Sequence, residues 1–265
     1  MTSHFCRSLR DVTTGLQTVQ SNFRLLEEDL DSIINKGDSF TVKKHDLTTV
    51  GVLDGHIFGF GQDLLIKRFN YRGLLDFAVR RVFSGRAERL WNISQRLFAC
   101  GLPVPQPLGY VEPSRWRKNS FFISSVIENS LNLADVYKQG LFSEPQRLAA
   151  ILAGTLSAWH MAGAVHGDLK WSNILMQKNG DVISFFLVDL DSAKLYARPE
   201  VKGIRKDLIR FYRYGLELGA EEWVRTEFLP AYREKLAGHI KDKIDLLDLG
   251  TRARKDWERK RRRRR

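Results

Sequence analysis

The stretch His166-Gly167-Asp168-Leu169-Lys170-Trp171-Ser172-Asn173 gathers a histidine, an aspartate, a lysine and an asparagine, and the apolar run Phe185 to Val188 then leads into Asp189-Leu190-Asp191. Taken singly, Asp168 reads as a turn aspartate and Asp189 or Asp191 as a solvated strand end. Taken in order, behind a long apolar helix and ahead of a short apolar strand, they read as parts of one site. The preceding helix is announced by Ser143, Pro145 and Gln146, a helix-start signature, and stops near Gly163. Leu148 to Val165 is also the most apolar window of the chain. Thr155, Ser157, His160 and three small residues lower its hydropathy, and its length is at the minimum for a membrane span, so a buried helix is expected.

Upstream the pattern is different. Phe40 to Val42, Leu47 to Leu53, His56 to Phe60 and Leu64 to Phe69 are short runs rich in β-branched and aromatic residues, with Asp54-Gly55 as a hairpin signal between two of them. A helix from about Ser84 to Ala99 is stopped by Gly101 and Pro103, and Leu108 to Val111 and Phe121 to Ile127 are two further strand candidates. From Asp207 onward helical patterns resume. Strands first and helices later predict an α+β chain of two lobes. Ahead of this body, Leu9, Val12, Leu16, Val19, Phe23, Leu26, Leu30 and Ile33 recur at spacings of three and four, which predicts an amphipathic helical extension over residues 1–35. Thr13, Thr14 and Gly15 interrupt that seam, which argues for packing on its own domain over a dimerising coiled coil.

The pattern His-x-Asp-x-Lys-x-x-Asn, followed by an apolar strand ending in Asp, resembles the catalytic loop and metal-binding aspartate of the protein-kinase-like superfamily. The resemblance implies a bilobal fold, with an antiparallel-sheet N-lobe holding one main helix (36–128) and a mostly helical C-lobe (129–250). It implies ATP and Mg2+ as cofactors. Asp168 is then the carboxylate that orients the attacking hydroxyl and receives its proton, and Lys170 the cation beside the migrating phosphoryl group. Asn173 and Asp189 are the hard oxygen ligands for magnesium. Lys67, in Leu64-Leu65-Ile66-Lys67-Arg68-Phe69, is the lysine for the α and β phosphates, and the backbone of Glu128 and Ser130 meets the adenine edge where the lobes join. Glu88 is either the partner of Lys67 or a surface glutamate compensating a helix dipole. No Gly-x-Gly-x-x-Gly precedes Lys67, and the turn Lys43-Lys44-His45-Asp46 stands where that loop belongs.

Further matches narrow the resemblance. Ile66-Lys67-Arg68-Phe69-Asn70, Ser84-Gly85-Arg86-Ala87 with Trp91, Gly101-Leu102-Pro103-Val104-Pro105-Gln106-Pro107-Leu108 and Val188-Asp189-Leu190-Asp191-Ser192-Ala193 are similar to the bacterial kinases that phosphorylate Kdo or heptose in the lipopolysaccharide inner core. That family implies a sugar hydroxyl on a lipid-linked core oligosaccharide as acceptor, at the cytoplasmic face of the inner membrane. His-Gly-Asp in place of His-Arg-Asp is also typical of aminoglycoside and choline phosphotransferases, which keeps a small-molecule phosphotransferase as an alternative. A non-catalytic kinase-like membrane adaptor is the other. Without that arginine, and without an Ala-Pro-Glu segment after Asp191, a protein kinase regulated through its activation loop is disfavoured.

Of the 265 residues 43% are apolar and 28% charged, which excludes a collagen, a disordered tail protein and a disulfide miniprotein. Cys6 and Cys100 are too far apart in sequence to form a metal-spaced pair, and a reducing cytosolic compartment suits them. The formal charge is +12, and residues 251–265 hold ten Lys or Arg against two acids, or +8 of it. Arg259 to Arg265 is an unbroken cationic run, read as a basic tail (251–265) that holds the protein peripherally on an anionic membrane surface. No nucleic-acid module accompanies it, so no specific nucleic acid is expected.

Overall fold

The computed structural model describes residues 40–44, 48–58, 61–70, 85–112 and 119–263. The N-terminal seam, Cys6, His45 and Asp46, Ser84, Arg264 and Arg265 lie outside the described residues. The chain divides into two compact units, one reaching to Cys100 and including Pro105–Val126, the other made of Gly101–Val104 and Ile127–Arg265.

The first unit is a five-stranded antiparallel sheet in the order β1-β2-β3-β5-β4, formed by β1 (Phe40–Lys44), β2 (Thr48–Leu53), β3 (Leu64–Phe69), β4 (Pro107–Val111) and β5 (Ser120–Ser125). The central strands β3 and β5 are the most buried: Leu64, Ile66, Phe69, Phe121 and Ile123 are fully enclosed. β-branched and aromatic residues at these positions fit a sheet covered on both faces. Helix α1 (Arg86–Ala99) packs on β4 and β5 through Ala87, Leu90, Ser94 and Leu97, a stripe at spacings of three and four. Its N-terminus has no cap of its own; the Glu112 carboxylate accepts from the Glu88 backbone N–H at 3.1 Å, and Gly85 leaves the room that carboxylate occupies.

The strand expected over His56 to Phe60 is not formed by its described residues, which end at Phe58. Asp54-Gly55 does turn the chain, with Asp54 Oδ1 accepting from His56 N at 2.9 Å, but Gly55–Phe58 then coils as a 3-10 turn. The side chain of Asp54 satisfies a backbone donor that a hairpin would have paired across strands. The sheet resumes at β3, which pairs with β2 from Leu53↔Leu64 to Thr48↔Phe69.

The second unit begins with β6 (Ser130–Asn132) and α2 (Leu133–Lys138), the latter capped by the Asn132 side chain, which accepts from Asp135 N at 3.0 Å. Helix α3 (Pro145–Met161) is the long apolar helix, with proline in its first turn and Leu148, Leu152, Leu156 and Trp159 in the core. After it come β7 (Ala164–Val165), the hairpin β8 (Ile174–Asn179) and β9 (Val182–Leu187), β10 (Lys194–Leu195) and α4 (Val201–Leu218). β6-β8-β9 form one small sheet and β7 pairs with β10. The remaining helices are α5 (Glu221–Trp223), α6 (Leu229–Glu234), α7 (Gly238–Lys241) and α8 (Leu246–Arg263).

Helix α8 includes most of what the sequence presents as a tail, and the expected boundary at residue 250 falls inside it. Leu249 and Ala253 are fully buried, and Gly250 lets the helix approach Tyr212 of α4 more closely than any larger residue permits. Ion pairs flank that contact: Arg213 with Asp256 at 2.9 Å, Lys260 with Glu217 at 3.1 Å, and Arg205 with Asp248. Among the described residues no helix is long and apolar enough to cross a membrane.

Candidate active site

The quoted motif lies wholly in the second unit. α3 ends at Met161, and two residues on Gly163, with φ +84°, turns the chain into β7. β7 pairs with β10, which brings Gly167 against Ser192. Gly167 has φ +76°, and a Cβ there would fall 2.5 Å from the Ser192 carbonyl oxygen. Glycine between His166 and Asp168 is therefore required twice over, by conformation and by space.

Asn173 pairs with the residue before Asp189 because the two flank one hairpin. Ile174 pairs with Leu187, the next residue out on each strand is Asn173 and Val188, and Val188 N donates to Asn173 O at 3.0 Å. Asp189 follows in the left-handed region, φ 62° and ψ 57°, a conformation a non-glycine residue holds only when its surroundings impose it. Trp171 pins the loop from below. It is fully buried, its Nε1–H donates to Phe211 O at 3.1 Å, and it packs edge-on or tilted against Tyr137, Phe211 and Trp223.

The Asp168 carboxylate is the focus of the polar groups. Lys170 Nζ lies 3.3 Å from Oδ2, Asn173 Nδ2 donates to the Asp168 carbonyl at 3.0 Å and to Oδ2 at 3.3 Å, and Arg210 Nη1 lies 3.4 Å from Oδ1. Asn173 thus uses its amide nitrogen on Asp168, which leaves its side-chain oxygen as a neutral metal ligand. A carboxylate and an amide oxygen on adjoining backbone fit a magnesium ion that takes its other ligands from phosphate and water.

His166 ties the two halves together. Its Nε2 faces Val188 O at 3.0 Å and its Nδ1 faces Asp168 N–H at 3.2 Å. A carbonyl only accepts and an amide N–H only donates, so the proton sits on Nε2 and the ring is neutral. Burial lowers its pKa, against opposing pulls from Asp207, the Val188 carbonyl, Asp168 and Asp189.

Sequence reasoning missed the groups that hold this loop from α4. Asp207 is buried and accepts the backbone N–H of His166 at 2.6 Å and of Gly167 at 2.9 Å. One helical turn on, Arg210 donates to the Gly167 carbonyl and pairs with Asp168. A cation absent from the position before Asp168 is thus supplied from another helix. Behind Asp207, the Tyr232 hydroxyl, its pKa pushed up by burial, lies 2.7 Å from His160 Nδ1, and His160 Nε2 faces Asp207 Oδ2 at 3.5 Å. A signal was present: Asp207 falls on the buried stripe Gly203, Ile204, Asp207, Leu208, Phe211, where a carboxylate needs a reason to be.

The other expected residues have partners of their own. Glu128 O accepts from Gln177 Nε2 at 2.8 Å and Ser130 Oγ donates to Ile127 O at 2.6 Å, both at the head of β6. Lys67 is in the first unit, buried in β3 opposite Phe122 of β5, with Nζ 5.7 Å from the centre of the Phe69 ring. Glu88 lies in the first turn of α1, close enough to Tyr110 for its charge, with that of Glu112, to add to the effect of burial in raising the tyrosine pKa.

Comparison with known proteins agrees with this architecture. The chain is 25% identical over 182 residues to the RIO-type serine/threonine-protein kinase Rio2 of Methanocaldococcus jannaschii, covering 65% of this chain and 64% of that protein. It therefore spans slightly less than two thirds of the curated relative's length. A solved structure of WaaP in complex with acyl carrier protein superposes with a TM-score of 0.60 at 17% identity, over 86% of this chain and 91% of that one. The fold is thus the bilobal α+β architecture of the kinase-like superfamily. Residues 75–232 match the lipopolysaccharide kinase (Kdo/WaaP) family, which spans both units and every residue placed around Asp168, and the chain belongs to that family.

Proposed function

We propose that the protein transfers the γ-phosphoryl group of ATP to a sugar hydroxyl, Kdo or heptose, of the lipopolysaccharide inner core. The observation that carries the reading is the Asp168 carboxylate held between Lys170, Asn173 and Arg210, in a chain of the Kdo/WaaP family. In the reaction the acceptor oxygen forms a bond to the γ-phosphorus, the bond from that phosphorus to the ADP oxygen breaks, and ADP leaves. Asp168 accepts the acceptor's hydroxyl proton. Lys170 offers positive charge to the oxygens of the migrating group, and Lys67 does so for the α and β phosphates. Asn173 and Asp189 would hold magnesium, which when bound neutralises charge on the phosphate oxygens. Glu128 and Ser130 offer backbone groups to the adenine.

The acceptor is anchored in a lipid, and the C-terminus of α8 suits work at the cytoplasmic face of the inner membrane. Asp256 pairs with Arg259 and Glu217 with Lys260, whereas Arg261, Arg262 and Arg263 follow as successive cations of the last turn. Each cation near an anionic bilayer contributes about 1 kcal/mol, enough for the run Arg259 to Arg265 to give reversible attachment. Mass spectra of the core lipid from cells with and without the gene test the assignment. The mutant lipid is expected to be lighter by one phosphate, about 80 Da for a single phosphoryl addition, with fragmentation locating it on a Kdo or heptose; identical spectra overturn the assignment.

A further inference from the structure

A cavity of about 1020 Å³ opens within the second unit, with Gly167 and Arg210 on one side of it. It lies between the β10 region, α4 and α8, and its lining holds seven cations against two carboxylates. Both carboxylates are committed. Glu200 caps α4, accepting from Lys202 N and Gly203 N, and Asp256 pairs with Arg213 and Arg259. Lys194, Lys202, Lys206 and Lys255 line the cavity, and none of them has a carboxylate within 4.0 Å among the described residues.

The arrangement along α4 is directional. Lys202, Lys206 and Arg210 recur every fourth residue and share one face, each about 6 Å further along the axis than the last. The row ends where Arg210 touches Asp168. Like charges at this spacing repel by a few tenths of a kcal/mol per pair, about 0.2–0.5, so the helix carries the row at a small cost to its own stability. A solvated lysine needs no explanation singly. Four that converge on one cavity, with a cationic row running from it to the reacting carboxylate, form an electrostatic trap for an anion.

We propose that this cavity is the acceptor subsite, and that Lys194, Lys202, Lys206 and Lys255 grip an oxyanion of the acceptor, carboxylate or phosphate, set apart from the hydroxyl that is phosphorylated. The inference rests on the kinase reading above and deepens it: the acceptor must be anionic before it is phosphorylated. It also gives α8 a part in recognition, since Lys255 is one wall of the subsite.

The test uses the full chain and water-soluble inner-core oligosaccharide, from cells lacking the gene and freed of its acyl chains, in native form and after chemical removal of its phosphates. The variant K202Q/K206Q/K255Q is compared with the charge-matched K178Q/K235Q/K243Q, whose lysines are exposed and outside the cavity. Calorimetric titration is expected to show at least a tenfold weaker Kd for native oligosaccharide in the first variant and less than twofold change in the second, with the thermal midpoint of both near that of the parent. In the phosphorylation assay, KM for the oligosaccharide rises by a similar factor and KM for ATP holds within twofold. Binding lost on dephosphorylation identifies the gripped group as phosphate; binding retained identifies a carboxylate. Equal weakening in both variants, or none in the first, overturns the subsite, as does loss of affinity only for phosphatidylglycerol vesicles, which makes the patch a membrane face. Oligosaccharide binding that depends on the lysines without any phosphate transfer leaves the subsite standing and refutes the kinase reading. Transfer with unchanged KM does the reverse.

Discussion

Replacing Asp207 by Asn isolates the contact that α4 makes with the loop carrying Asp168. The carboxylate accepts two backbone N–H groups, at 2.6 Å from His166 and 2.9 Å from Gly167, and its Oδ2 also faces His160. An asparagine of the same shape keeps one acceptor oxygen and turns an NH2 group toward a donor, so one of the two N–H groups is left without a partner. Hydrogen bonds to a charged group are worth about 1.5–3 kcal/mol each, and a buried orphaned donor costs about 1–3 kcal/mol. Losing one bond, weakening the other and stranding a donor therefore predicts a destabilisation of about 2.5–6 kcal/mol. The loop so released carries Asp168, and a displacement of about 1 Å at a reacting group costs on the order of a hundredfold in rate. Urea unfolding at constant m measures the first quantity, and phosphotransfer kcat the second. A change below about 0.5 kcal/mol, the ordinary scatter of surface substitutions, together with an unaltered kcat, would refute the claim that Asp207 positions the loop.

Gly167→Ala forces a side chain into the left-handed region and onto the Ser192 carbonyl; a loss of about 1–2 kcal/mol from conformation alone and at least a tenfold fall in kcat are expected, and wild-type kinetics would contradict the geometry. His166 is buried with its pKa lowered from 6.5, so as pH falls the unfolded chain takes up the proton before the folded one does. Its contribution is then whole above pH 6.5 and is lost as pH falls from there toward its folded pKa, with a slope of at most about 1.4 kcal/mol per pH unit. Denaturation midpoints of the parent and His166→Asn between pH 5 and 8 should differ in that slope, and parallel curves would count against it. Asn173→Ala removes an oxygen donor, so half-maximal phosphotransfer should need at least tenfold more magnesium, whereas an unchanged requirement would remove Asn173 from the metal site.

What the sequence conveyed well was local. The strand Leu64–Phe69 is marked by a dense apolar run, the helix Pro145–Met161 by its proline and its apolar face, and the Asp168 loop by residues whose spacing is fixed by one turn and one hairpin. What it hid was tertiary. Asp207 and Arg210 act on residues about forty positions earlier, and nothing in a helical pattern says which loop will lie against it. The cationic C-terminus reads as structureless because Arg259 to Arg265 has no apolar residue. Its helix is anchored by Leu249, Gly250 and Ala253 upstream and by carboxylates on α4 and α8. His56 to Phe60 reads as a strand for the opposite reason: its apolar residues suit a sheet, and the Asp54 side chain diverts the backbone into the 3-10 turn Gly55–Phe58 first.

The central claim is tested most directly by incubating the purified full chain with γ-labelled ATP, magnesium and inner-core lipid lacking its core phosphate, and following label into the lipid. The account predicts one phosphate per lipid on a Kdo or heptose hydroxyl, with transfer falling by at least a thousandfold in Asp168→Ala. Absence of label from every inner-core acceptor, or transfer that survives loss of the Asp168 carboxylate, would contradict it.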